Sequence, residues 1–313
     1  MDLRQLRHFV AVVRHGNMLR ASQALHVTQP ALSKSIKSLE ASVGVTLLKR
    51  SPRGVDPTPY GRQLFDHAKL ILNKTRQAEE ELQAAVDGHK GHVAIGFGAA
   101  IAGSLLPQSV LSVIGAQPGV TASILSKPFD EILVLLREGE LDFAFVVFPP
   151  EPQQPGLVYE PLIVDVFQTL CRPAHPFHNG SPVSLDRLTA ADWVLFDRPS
   201  IMQARFSSLF VDADLPAPQP TLTTTSVFIL KWAVREADFL TFAPTGLFLD
   251  DLEAGRLVAL PTELETVRIK AGIVYRQDDI LPAAADAVVR DLRLRRTDAI
   301  EALAGHAGPI ESQ

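Results

Sequence analysis

The 313-residue sequence predicts an α+β chain in three parts: a small helical head carrying a β-hairpin, one long helix, and a strand–helix body of about 210 residues in two lobes. Three observations lead there. Apolar residues repeat at helical spacing through the first 42 positions and again through a long uninterrupted stretch to about Asp87. From position 92 the pattern turns into alternating strands and helices. Charge divides the same way. Residues 1–60 hold nine basic and three acidic groups, whereas residues 91–313 hold 16 basic and 27 acidic ones, giving an overall charge of −5. A basic head on an acidic body points to an anionic partner for the head and a different task for the body.

In the first helix Leu3, Leu6, Phe9, Val10 and Val13 form one face. Gly16-Asn17 breaks it, with Asn17 placed to cap a second helix carrying Leu19, Ala21, Ala24 and Leu25. Thr28 caps a third helix whose first turn holds Pro30, where a missing N–H costs nothing. Ala31, Leu32, Ile36 and Leu39 are expected to be buried, with Gln29, Ser33, Lys34 and Lys37 on the other side. Helices at 17–25 and 28–42 around a tight turn at His26-Val27 make a helix-turn-helix, and residues 45–58 read as a hairpin wing with Arg53-Gly54 at its tip. A helix fits the major groove with its N-terminal side chains at base edges. Gln29 suits adenine, Ser33 and Lys34 suit base edges or phosphate, and Asn17, Thr28, Lys37 and Arg50 stand near enough to serve the backbone. Arg53 suits a narrow minor groove. The bland alternative is a plain three-helix bundle with a solvated charged face.

From Thr58 the residues Leu64, Ala68, Ile71, Thr75, Ala78, Leu82 and Ala85 alternate spacings of four and three, a heptad seam suited to pairing with a second copy. The alternative is a helix lying on its own domain. In the body, strands are expected at His92–Phe97, Val120–Leu125, Leu141–Phe148, Val166–Cys171, Trp193–Phe196, Thr221–Thr224, Phe239–Phe242 and Ile269–Tyr275, with helices between them. The tail from Gly305 reads as frayed.

Other chemistries are excluded on the residues. Gly96-Phe97-Gly98 lacks the third glycine of a dinucleotide site, where Ile101 stands, and no acidic residue ends the next strand. No P-loop or Gly-x-Ser-x-Gly elbow occurs. The pairs His89/His92 and His175/His178 lack cysteine or acidic companions, so no metal and no cofactor is expected. Cys171 is alone and ends an apolar strand, which fits a reducing cytoplasm. No apolar run reaches the roughly 20 residues of a membrane helix.

Ala21-Ser22-Gln23-Ala24-Leu25-His26-Val27-Thr28-Gln29-Pro30-Ala31-Leu32-Ser33, followed by Ile36, Leu39-Glu40, Gly44, Leu47-Leu48, Arg50, Thr58 and Gly61, resembles the signature of LysR-type transcriptional regulators. Looser matches follow at Leu105-Leu106-Pro107, at Arg137 to Ala144 and at Gly255 to Pro261, so the resemblance runs along nearly the whole chain. The sequence departs at Ser22, where the family usually has alanine, and at Leu48, usually phenylalanine. It departs again in the loop Gly98-Ala99-Ala100-Ile101, which offers no hydroxyl to a ligand carboxylate.

The resemblance implies a winged helix-turn-helix (1–58), a dimerising linker helix (59–90) and a periplasmic-binding-protein-like effector domain (91–304). The lobes would be about 91–161 plus 268–304 and about 162–267, with a cleft at the strand ends. Cleft candidates are Ala100, Ile101, Ser126, Lys127, Phe129 and Phe148 in the first lobe. In the second they are Phe196, Pro199, Ser200, Gln203, Thr224, Thr225 and Ser226. Two helix N-termini and aromatic walls suit a small, partly apolar anion such as an aromatic carboxylate. The resemblance further implies double-stranded DNA as partner, a tetramer of two dimers, contact with RNA polymerase, no enzymatic activity and no membrane. Two function classes remain: a ligand-responsive DNA-binding regulator, or a solute-binding or enzymatic α/β domain whose head serves assembly.

Overall fold

The computed structural model describes residues 1–51, 54–86, 91–98, 105–148, 154–196, 201–264, 267–277 and 279–305. The chain forms two compact units, one of residues 1–91 with 130–142, the other of 92–129 with 143–313.

The first unit opens with α1 (Leu3–His15), α2 (Met18–Ala24) and α3 (Gln29–Val43). Each start is held by its own sequence. Asp2 and Gln5 exchange hydrogen bonds as a capping box. Asn17 Oδ1 accepts from Leu19 N and Arg20 N at 2.8 and 3.2 Å, and Thr28 Oγ1 accepts from Ala31 N at 3.4 Å. Leu6, Phe9, Val10, Val12, Ala21, Leu32, Ile36 and Leu39 form the core. Ala31 is exposed, contrary to the sequence expectation. The buried stripe of α3 runs Leu32, Ile36, Leu39, and Ala31 lies one residue, about 100°, off it. Leu19 and Ala24 are likewise exposed. Ser22 is buried and its hydroxyl donates to Leu19 O at 2.8 Å, so serine fits where a small residue is required.

The wing is β1 (Leu48–Ser51) paired antiparallel with β2 (Gly54–Pro57), followed by α4 (Pro59–Val86). Thr58 joins them: its hydroxyl donates to Thr46 O and accepts from Gly61 N. Gly61 is required by space, since a Cβ there would stand 2.0 Å from Leu47 O. The last part of this unit is most of α6 (Phe129–Arg137) and the turn to Asp142.

The second unit adds β3 (Gly91–Phe97), α5 (Leu105–Ala116), β4 (Val120–Ser126), β5 (Phe143–Val147), β6 (Leu157–Cys171), α7 (Leu185–Thr189), β7 (Val194–Phe196), α8 (Ile201–Val211), β8 (Leu222–Thr224) and α9 (Val227–Glu236). It ends with β9 (Thr241–Pro244), a short 3-10 turn, α10 (Leu249–Glu253), β10 (Val258–Ala259), β11 (Val267–Arg276) and α11 (Ala283–Ala304). One sheet runs β10-β6-β11-β5-β3-β4, with β9 also on β6, and β7-β8 form a second, smaller sheet. α5 packs on α11 and β4, and α11 on β6.

The body is more mixed than the sequence suggests. β5 is buried along most of its length, but only β3 lies parallel to it, and β11 is antiparallel. β6 starts at Leu157, nine residues before the expected Val166. Pro161, Glu160 and Asp165 interrupt the apolar pattern that would have announced it. The ladder of β6 and β11 shifts register between Ala271 and Gly272, with Pro161 opposite Gly272 and Leu162 as the extra residue beside it. Gly272 is required there, because a Cβ would lie 2.0 Å from Glu160 O. Past the bulge, Trp193, Phe206, Phe210, Leu240, Phe242 and Ile269 build one core, and Val194, Leu230, Val234 and Phe248 another. The sequence reading passed over α7, α10 and β10, which are each five residues or fewer.

Candidate nucleic-acid interface and effector cleft

The head presents its candidate contacts at the start of α3. Thr28, Gln29, Pro30, Lys34 and Lys37 are exposed, and Ser33 is half-buried. Thr28 and Asn17 spend their side-chain oxygens on helix caps, which leaves the Thr28 hydroxyl proton and the Asn17 amide N–H groups as donors. The turn between α2 and α3 is made without glycine: His26 takes φ 53, a left-handed conformation that histidine adopts more readily than most residues. Arg50 lies on β1, its side chain outside the described residues, and Arg53 is wholly outside them.

Two tertiary supports escape the motif reading. Glu40 Oε1 accepts from Leu47 N and Leu48 N at 2.8 and 3.2 Å, so the C-terminal half of α3 holds the strand that opens the wing. Gln5 Nε2 donates to Ser38 Oγ at 3.1 Å, and His8 Nδ1 lies 2.8 Å from Ser35 Oγ, joining α1 to the recognition helix. Burial, then the charge of Arg4, lowers the His8 pKa below the ordinary histidine value. Glu40 is part of the sequence signature, but its partners are invisible until the wing is folded.

The seam of α4 divides. Ala68 is buried in the head core and Leu64 packs against it, with Phe65 and Leu72 beside them. The reading in which this helix lies on its own domain therefore applies to the first two seam positions. Ile71, Ala78 and Leu82 are exposed, as is Val86. Thr75 is half-buried and donates to Ile71 O. The side chain of Ala85 lies outside the described residues.

In the second unit the ends of three strands meet. Gly98 N donates to Phe145 O, Lys127 N to Phe97 O, and Phe148 N to Lys270 O at 2.8 Å. Ser126 and Lys127 are exposed there, Phe129 is half-buried, and Phe148 stands edge-on to Tyr159 with ring centroids 5.6 Å apart. In the smaller sheet β7 and β8 are parallel, and Phe196 and Thr224 are direct neighbours. Phe196 also packs against the core around Leu230 and Phe248, so part of its ring serves stability. Thr224 is buried and its Oγ1 accepts from Ser226 N at 3.1 Å, while Ser226 Oγ caps α9 by accepting from Ile229 N at 3.4 Å. Each hydroxyl thus has one acceptor site spent and still has its proton to donate. Thr225 is exposed. Ala100, Ile101, Pro199 and Ser200 lie outside the described residues, as does the side chain of Gln203.

The sequence also gave no hint of Asp165. Its carboxylate, on β6, is 2% exposed and accepts from Val166 N at 2.7 Å and from Gly246 N, where the 3-10 turn begins. Burial outweighs these hydrogen bonds and pushes its pKa up to about 6. Cys171 is buried and its thiol is pushed up to about 12, which removes it as a thiolate nucleophile. Among the described residues no group of three or more histidine, cysteine, aspartate or glutamate side chains could hold a metal ion, and no helix is long and apolar enough to cross a membrane.

Comparison with known proteins agrees along the chain. Residues 3–62 match the bacterial regulatory helix-turn-helix protein, lysR family, and residues 87–295 match the LysR substrate binding domain. The HTH-type transcriptional regulator GbpR of Azospirillum brasilense is 32% identical over 79% of this chain and 75% of its own length. The SDS degradation transcriptional activation protein of a Pseudomonas species is 31% identical over 92% of this chain and 94% of its own. Among solved structures, ArgP from Mycobacterium tuberculosis aligns with a TM-score of 0.67 at 21% identity, covering 95% of this chain and 98% of that one. With both halves matched in order, the chain belongs to the LysR family of DNA-binding transcriptional regulators, with a winged helix-turn-helix head and a C-terminal effector-binding domain.

Proposed function

We propose that the protein reads its operator with the first turns of α3 and is controlled by a small, partly apolar anion, an aromatic or other carboxylate, bound between the lobes of the C-terminal domain. The observation that carries the DNA half is the open start of α3, where Gln29, Pro30, Lys34 and Lys37 are all exposed and Thr28 caps the Ala31 amide. Gln29 reads a base edge. The exposed Pro30 and Ala31 offer apolar surface to a thymine methyl. Ser33, Lys34, Lys37, Asn17, Thr28, Arg50 and Arg53 position the head on phosphate or groove.

The effector reading rests on the meeting of strand ends at Phe97, Ser126 and Phe148, and on Phe196 beside Thr224 at the start of α9. Ser126, Lys127, Phe129, Phe148, Phe196, Thr224 and Ser226 are the effector's contacts; the further candidates from the sequence, Ala100, Ile101, Ser200 and the side chain of Gln203, lie outside the described residues. The exposed stripe Ile71, Ala78, Leu82 and Val86 on α4 pairs with a second copy. Two such dimers form the working tetramer in the cytoplasm, where RNA polymerase is the further partner. Effector binding favours one lobe closure and so changes the spacing and bend of the bound DNA.

Two titrations test this. DNA affinity should fall linearly on a log–log plot against salt, with a slope near −0.9 per phosphate neutralised. A flat response would return the chain to the solute-binding class. A thermal-shift screen against aromatic and aliphatic carboxylates should find a ligand that adds about 2.7 kcal/mol at 100 times its Kd. A panel without a shift would reject a carboxylate effector.

A further inference from the structure

The family match assigns residues 87–295 to the effector domain, yet residues 130–142 pack with the head and linker helix. The contact is specific. Lys69 on α4 is buried, its ammonium paired with Glu138 and, at 3.2 Å, with Asp66, and it sits 4.3 Å over the Phe65 ring. Asn73 Nδ2 donates to Glu138 O at 2.5 Å. Gln77 Nε2 donates to Gly139 O at 3.4 Å and to Asp142 Oδ1 at 3.3 Å. Residues 69, 73 and 77 are four apart, so one face of α4 reads the end of α6. The last-turn carbonyls of Val134, Leu135 and Leu136 are taken by Glu138 N, Glu140 N and Gly139 N, so Asn73 and Gln77 cap the carbonyls just beyond the helix, at Glu138 and Gly139, and Lys69 complements the negative pole of the helix. Gly139 allows the close approach: a Cβ there would lie 2.9 Å from Leu70 Cδ1. Arg14 on α1 adds an ion pair to Glu140 at 3.7 Å.

We propose that residues 138–142 form a latch by which the effector domain grips the linker helix, with Lys69, Asn73 and Gln77 as its receptor. Both ends of this segment continue directly into the second unit, through Phe129 after the Ser126-Lys127-Pro128 loop and through Phe143 into β5. A rearrangement of that loop therefore reaches α4 through nine residues of helix. The reciprocal must also hold: an event at the head must alter the latch. The latch rests on the family's DNA binding alone and does not depend on which effector binds.

The test is amide hydrogen exchange on the full chain, free and with a short generic DNA duplex at low salt. In the wild type, DNA should change exchange of the peptide spanning 130–142, by about 5- to 100-fold for a coupling of ordinary size. In Glu138→Gln that response should vanish while the α1–α3 peptides are still protected by DNA. Asp66→Asn, altering only the exposed partner of Lys69, should keep it. If Glu138→Gln fails to fold, Asn73→Ala carries the same readout with a partial loss. No DNA-dependent change at 130–142 in the wild type overturns the latch, as does an undiminished change in the folded variant.

Discussion

The head holds its helix starts with local hydrogen bonds, whereas the effector unit leans on buried polar contacts between distant segments. In the head, Asp2, Asn17 and Thr28 bond to amides two or three residues away, and Gln29, Pro30, Lys34 and Lys37 on α3 are left exposed. In the effector unit the telling polar contacts span the chain: Asp165 with Gly246, Gln168 with Thr245, Glu160 with Arg293 at 2.7 and 2.8 Å. Asp251 is buried against Lys231, Arg235 and Arg256. A recognition surface can be encoded by short segments because it needs only to be presented. A core that ties distant segments together needs partners from each of them.

The largest expected difference is in the core. Trp193 is fully buried, packs edge-on against Phe206 and donates its indole N–H to Leu188 O. Trp193→Ala should cost about 3–5 kcal/mol, read by denaturant unfolding followed in the effector unit. DNA affinity at temperatures below the lowered transition should be unchanged. A matching loss of DNA affinity there would erase the contrast between the units.

Next comes pH, where the two units should respond with opposite sign. The Asp165 pKa is raised on folding, from 3.8 to about 6, so its contribution is fully present below the unfolded value and lost as pH rises through 6. The loss is up to about 3 kcal/mol. Asp165→Asn should flatten that slope. The His8 pKa is lowered on folding, so its contribution is present above the ordinary histidine value of 6.5 and lost as pH falls below it. Melting curves recorded from pH 4 to 8 should show the effector unit weakening as the head strengthens. Parallel slopes would mean that burial does not dominate at one of the two sites.

Smaller effects probe the head. Gln29→Ala should relax preference at one base pair by about 1–3 kcal/mol, measured by competition between operator variants. Equal weakening on every sequence would assign Gln29 to the backbone instead. Asn17→Ala should cost about 1 kcal/mol of head stability through loss of the cap. Asn17→Ser should recover most of it.

The head was legible because its signals are local. The caps at Asn17 and Thr28, the stripe Leu32, Ile36, Leu39 and the long helix from Pro59 follow from spacing alone. What failed there failed on helix faces, at Leu19, Ala24 and Ala31, which are exposed. In the body the strand cores at β3, β5, β7 and β11 could be read, but the first half of β6 could not. A proline and two carboxyl groups within it break the apolar period; the register shift at Gly272 lies beside Pro161, while Arg293 holds Glu160 and the Val166 and Gly246 amides hold Asp165. Phe196 illustrates the limit for the cleft: position marks it as a strand end, while packing decides how much of the ring is left for a ligand.

By itself, then, the amino-acid sequence determined the family, the helix-turn-helix and the exposed side chains at the start of α3, because capping, turn geometry and helical period act within a few residues. The tertiary structure decided which half of the α4 seam is buried in the head, that Asp165 is buried against the amides of Val166 and Gly246, and that the end of α6 is held by Lys69, Asn73 and Gln77. Those depend on contacts between segments tens of residues apart, where burial and hydrogen bonding are set by what the fold brings alongside.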